Sequence, residues 1–225
     1  EWLQNHEAYH GLVEANTANP QMLLDYDFLK KDVVSLLEKA ADSRPQDADV
    51  FVALGVAYNI DRSYFRAAES FITAATLRPE DPTLWNKLGA TLANSGLSEA
   101  SLVAYNQALR LKPNYARAWS NLAIAHCNLN QHQDGIRFYL AALKLSPKAE
   151  HLWTLLFNAV AAWAPERDEL GDMVDRRDMD GLSAAVGGGV PDVENLPSPE
   201  RSLPQSVGEV VASLRAQMRR PRNEG

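Results

Sequence analysis

Residues 85–113 read W-N-K-L-G-A-T-L-A-N-S-G-L-S-E-A-S-L-V-A-Y-N-Q-A-L-R-L-K-P and describe one complete helix-turn-helix unit. Its neighbours repeat it. Pro45, Pro79, Pro113 and Pro147 are each 34 residues apart, and so are Ala40, Ala74, Ala108 and Ala142, five positions before them. A period that strict decides the fold class, because one helix pair leaves an apolar face uncovered and stacking its neighbours buries that face. The expected product is all-α: a right-handed solenoid with an extended concave inner wall. Function is then to be sought on that wall, in residues the stacking itself does not require.

Working outward, the preceding unit starts A-D-V-F-V-A-L-G-V-A-Y at Ala48 and places Phe51, Leu54, Gly55, Tyr58, Ala67, Phe71, Ala74 and Pro79 at the repeating positions. The following unit has Trp119, Leu122, Ala123, Tyr139, Ala142 and Pro147, with His126 and Gly135 departing from the pattern. The spacing thus gives units near 48–81, 82–115 and 116–149 and a partial one from 150, which Trp163-Ala-Pro165 interrupts where its second helix should start. These positions resemble the tetratricopeptide pattern. Residues 1–45 read as the end of an earlier repeat followed by an irregular hinge unit, with Asn16, Asn19 and Pro20 as breakers and a helix from about Asp27 to Ala41. Because the first residue is Glu1, the sequence reads as a fragment whose amino-terminal part is absent.

Beyond the repeats, residues 164–225 read as C-terminal helices, a Gly/Pro linker and an amphipathic tail helix. Residues 166–180 carry seven acidic and three basic side chains, the mark of a solvated helix or loop. Gly187-Gly188-Gly189 and four prolines at 191, 197, 199 and 204 form the linker. Val207, Val210, Val211 and Leu214 then recur at i, i+3, i+4 and i+7. The expected role of that helix is a cap on the last repeat, since solenoid ends need covering. A partner-binding or membrane-surface helix is the alternative, favoured by Arg215, Arg219, Arg220 and Arg222.

Composition narrows the function classes. The 225 residues are 46% hydrophobic and carry 22 basic against 29 acidic side chains, for a net charge of -7. An acidic balance argues against a nucleic-acid partner, which needs clustered Lys and Arg to neutralise phosphates. No apolar run is long enough for a transmembrane segment. The single Cys127 excludes an intrachain disulfide and suits the cytosol. His6, His10, His126, His132 and His151 form no metal-binding motif, Cys127 has no flanking catalytic motif, and Gly187–Gly189 lack the Gly-Lys-Ser/Thr continuation of a phosphate loop. No catalytic residue, metal or cofactor is therefore expected, and the chain does not read as an enzyme.

The inner wall carries the chemistry. With Trp85, Leu88, Gly89 and Leu92 as the core stripe, Asn86, Ala90 and Asn94 share the opposite face at roughly 100° per residue, with Lys87 beside them. The same arithmetic puts Arg117, Asn121, Ile124 and Asn128 on the corresponding face of the next unit. An asparagine amide offers donors and an acceptor at once, so it can grip a peptide backbone whatever its side chains, and amide donors beside a cation suit a terminal carboxylate. Ala90 and Ile124 leave an apolar gap for a small or branched side chain.

The stretches W-N-K-L-G-A-T-L-A-N at 85–94 and Y-A-R-A-W-S-N-L-A-I-A-H-C-N at 115–128 resemble the carboxy-terminal repeat domain of the peroxisomal import receptor for type-1 targeting signals. The resemblance runs to about residue 185. It implies a cargo receptor that binds C-terminal Ser-Lys-Leu-like tripeptides of peroxisomal or glycosomal matrix proteins, works in the cytoplasm and cycles to membrane docking proteins. It places the peptide-binding positions on Asn86, Lys87, Ala90, Asn94, Arg117, Asn121 and Asn128. Family contacts from earlier repeats have no counterpart in this sequence, and the tail after residue 190 lies outside the match. Two other readings stay open: a co-chaperone module clamping the C-terminal carboxylate of heat-shock proteins, and the targeting solenoid of a larger enzyme.

Overall fold

The computed structural model describes residues 20–187, together with residues 191, 212, 215, 216 and 218, and side chains from residue 32 onward. Ten helices, and no strand, make up the continuous described stretch: α1 Pro20–Ser43, α2 Ala48–Ile60, α3 Tyr64–Leu77, α4 Pro82–Asn94, α5 Ser98–Leu111, α6 Ala116–Asn128, α7 His132–Leu145, α8 Glu150–Trp163, α9 Asp168–Asp175 and α10 Met179–Val186. Each helix packs on its chain neighbour, and α4 also meets α6 directly. The first helices of these two repeats therefore lie side by side. The fold is the expected all-α tetratricopeptide solenoid.

Two contacts recur with the period and explain it. Within each repeat a small residue on the first helix lets the second helix approach: a Cβ on Gly55 would come within 2.8 Å of the Phe71 ring, and one on Gly89 within 2.6 Å of Tyr105. Ala123 and Tyr139 occupy the equivalent positions in the next unit, both buried. Between repeats, the indole N–H groups of Trp85, Trp119 and Trp153 donate to the carbonyls of Pro79, Pro113 and Pro147 at 2.8, 2.8 and 3.1 Å. A buried indole needs a partner for its N–H, and a carbonyl at the end of the preceding repeat supplies it. Turns are short, and Gly96 at φ 80° and Asn130 at φ 59° adopt the left-handed conformation that those two residue types tolerate best.

The regular array stops at α8 for a steric reason. Where the earlier units have Gly55, Gly89 and Ala123, this one has Phe157, which is 43% exposed. A ring there prevents the close approach of a second helix. The segment that follows, α9, has only eight residues, and Gly171 lies with its missing Cβ 3.5 Å from Phe157.

Three expectations need correcting. The helix expected from about Asp27 already runs from Pro20, because a proline is tolerated in a first turn whose N–H groups have no intrahelical acceptor. Residues 166–180 are not simply solvated: Leu170 and Val174, at i and i+4, are buried, as are Leu182 and Val186 of α10. These helices cover α8 and α7, with the Gln133 amide donating to the Val186 carbonyl at 2.5 Å and Arg177 donating to both carboxylate oxygens of Glu150 at 2.7 and 2.8 Å. The cap expected of the tail is thus supplied by α9 and α10. Arg215 and Met218 of the tail lie instead against the α2–α3 hairpin. The expected helix end at residues 1–7 and the stripe residues Val207, Val210, Val211 and Leu214 lie outside the described residues.

Two predictions follow from the packing. Gly89→Val should cost about 1–3 kcal/mol in urea unfolding, the usual penalty for overpacking a core, and Gly89→Ala less, since Ala123 fills the same place one repeat later. The second concerns His126, buried against Phe138 with ring centroids 4.7 Å apart and Nδ1 2.7 Å from Gln131 Oε1. Burial holds its pKa below the ordinary 6.5, against the upward pull of Gln131 and Asp134. The unfolded chain therefore protonates first, so the stability this group contributes is present above pH 6.5 and is lost as pH falls below it. A urea midpoint lower at pH 5.5 than at pH 7.5, with a smaller difference in His126→Gln, is the expected result.

Candidate functional site

The wall expected to bind peptide is formed by α4 and α6, and the repeat stacking fixes how each side chain meets it. On α4, Lys87 and Asn94 are exposed and Ala90 is half-buried. On α6, Arg117 and Asn128 are exposed, while Asn121 and Ile124 are half-buried. Asn86 differs from the expectation. It is only 6% exposed, and its Oδ1 accepts from Asn121 Nδ2 at 3.1 Å. Facing away from the Trp85 stripe does not leave a residue free, because the flank of α4 nearest α6 is covered when the two helices meet.

The seam before it is built alike. Asn59 on α2 donates through Nδ2 to Thr91 Oγ1 on α4 at 2.7 Å, and Thr91 in turn donates to the Lys87 carbonyl at 2.9 Å. The Asn59 Oδ1 is buried without a partner. Asn59 is not among the residues the sequence singles out, and the available signal was a polar side chain recurring at the seams between first helices. Asn158 on α8 is exposed.

These contacts divide the seven candidates. Asn86 and Asn121 form a pair that ties two repeats together, leaving one Asn121 donor hydrogen and its carbonyl for other partners. Lys87, Asn94, Arg117 and Asn128 face solvent on two helices that meet, and Ala90 and Ile124 on the same helices are half-buried. Such residues can offer hydrogen bonds, positive charge and some apolar surface. Cys127 on α6 is half-buried and has its thiol pushed up to about 11 by burial, and among the described residues no His, Cys, Asp and Glu group could hold a metal.

The family models for tetratricopeptide repeats match residues 98–130 and 116–149, a span that contains Arg117, Asn121 and Asn128. The peroxisomal targeting signal 1 receptor of Dictyostelium discoideum is 40% identical over 106 residues, covering 45% of this chain and 16% of the receptor. A PEX5-related protein of Homo sapiens is 34% identical over 106 residues, covering 44% of this chain and 17% of that protein. The repeat region is related to that of peroxisomal targeting signal receptors. The match thus spans about a sixth of those relatives' length. Among solved structures, the crystal structure of MamA protein superimposes with TM-score 0.59 at 18% identity over 74% of this chain and 93% of that one, a likeness of fold alone.

The Asn86–Asn121 bond makes a prediction opposite to that for a free wall residue. Asn121→Ala leaves a buried carbonyl unpaired and should cost about 1 kcal/mol of stability. A double-mutant cycle with Asn86→Ala in urea should return a coupling of about 0.5–1 kcal/mol.

Proposed function

We propose that this chain is the cargo-recognising part of a receptor that binds C-terminal Ser-Lys-Leu-like signals of peroxisomal or glycosomal matrix proteins. What supports this reading is that Arg117 and Asn128 on α6 and Lys87 and Asn94 on α4 are all exposed on two helices that meet, while Ala90 and Ile124, half-buried on the same helices, supply an apolar floor. The guanidinium receives the terminal carboxylate, the free amides hold the peptide backbone, and the floor takes the last side chain. Asn121 adds its remaining hydrogen, and the pair it forms with Asn86 holds it in place. Two cations suit one carboxylate better than the acidic peptide a chaperone clamp receives. The relatives' names support the same direction. In this reading the chain has no catalytic role, acts in the cytoplasm and cycles to docking proteins at the organelle membrane; no described helix is long and apolar enough to cross a membrane.

Fluorescence anisotropy with a peptide ending in Ser-Lys-Leu, as the free acid and as the amide, tests the reading. The acid should bind at least about tenfold tighter, and Arg117→Ala should remove most of that preference, as expected for a charge-assisted hydrogen bond of about 1.5–3 kcal/mol. Equal binding of both forms, or binding of neither, overturns carboxylate capture.

A further inference from the structure

We propose that the α2–α3 hairpin carries a docking groove for an amphipathic helix, and that its occupant is this chain's own C-terminal segment around Arg215 and Met218. The groove is a cavity of about 470 Å³ lined, among the described residues, by Leu54, Tyr58, Phe65, Arg66, Glu69 and Ser70 of the hairpin and by Met218 of the tail. Met218 is half-buried and packs against the main core. Arg215 Nε donates to Glu69 Oε2 at 3.2 Å, across 146 residues of sequence. The other walls of the groove are firmly held: the Tyr58 hydroxyl donates to Glu38 on α1 at 2.5 Å, and the Arg66 guanidinium pairs with the same carboxylate and lies 4.2 Å from the Tyr58 ring centre.

Sequence pattern and observed exposure agree on which face docks. At roughly 100° per residue, Met218 falls within about 20° of Val207, inside the stripe that Val210, Val211 and Leu214 continue. Ala212 and Ala216 fall on the opposite side by the same arithmetic and are exposed, whereas Arg215 and Met218 are partly covered. The segment's basic residues suit the acidic Glu69. The 19 residues between Gly187 and Val207 can span up to about 65 Å when extended. The last repeat leaves no room for this helix, since Leu170, Val174, Leu182 and Val186 already fill its face.

The test is cross-linking in the full chain with Cys127→Ser. Ser70→Cys and Met218→Cys together should give, on mild oxidation at micromolar protein, a disulfide within one chain, well above that of a control pairing Ser70→Cys with Ala216→Cys on the exposed side. Arg215→Glu should lower the yield about threefold, in keeping with an exposed ion pair, and Glu69→Arg should restore it. Links between two chains would make a second copy the occupant and overturn the proposal, as would a yield no higher than the control. Hydrogen exchange gives a readout free of cysteines: Met218→Asp should speed exchange in α2 and α3 about tenfold while leaving α6 and α7 unchanged. Unaltered exchange in α2 and α3 overturns the groove.

Discussion

The close approach of the two helices within each repeat is the constraint from which the rest of the structure follows. It depends on one small side chain facing one aromatic ring, Gly55 under Phe71, Gly89 under Tyr105 and Ala123 under Tyr139. A pair packed that tightly presents a flat apolar face to the next pair, and repetition turns the faces into a single core. That core also sets the register of the inner wall, because the helices carrying Asn94 and Asn128 are held by the same buried rings. When Phe157 takes the small residue's place, the second helix shortens and the chain turns to covering what it has built.

Much of the fold was legible because its information is periodic. Trp85, Leu88 and Pro113 recur at a fixed interval, with a small residue at the place of Gly89 in three units, and they mark the buried and bonded positions of the structure. Aperiodic features were harder to read. Leu170 and Val174 are two apolar residues among many carboxylates, too few to stand out from a solvated segment, yet both are buried because α8 offers a face to cover. Pro20 acts as a breaker in mid-sequence and as a starter in a first turn, and only the length of the helix decides between them. Helical arithmetic describes one helix in isolation. The burial of Asn86 is set by α6, thirty-odd residues away, and so could not be read from its position on α4.

The seams show why the wall's amides should be counted pair by pair. Asn59 with Thr91 and Asn86 with Asn121 satisfy buried polar groups that would otherwise cost stability, and they fix the spacing between neighbouring first helices. The remaining groups at the surface, Lys87, Asn94, Arg117 and Asn128, owe nothing to that task. Residue type alone cannot separate the two kinds, since asparagine serves both.

Among the described residues, the indole-to-carbonyl bonds make the joints between repeats alike except the one ahead of α2. Phe51 stands where Trp85, Trp119 and Trp153 stand in later units, and a phenyl ring has no hydrogen to donate. The joint ahead of α2 is consequently held by apolar contact and by the Tyr58, Arg66 and Glu38 cluster, while the later joints have a directional fastening as well. Under mechanical load an array of this kind parts at its weakest link, and among the joints between the described repeats that link lies between α1 and α2.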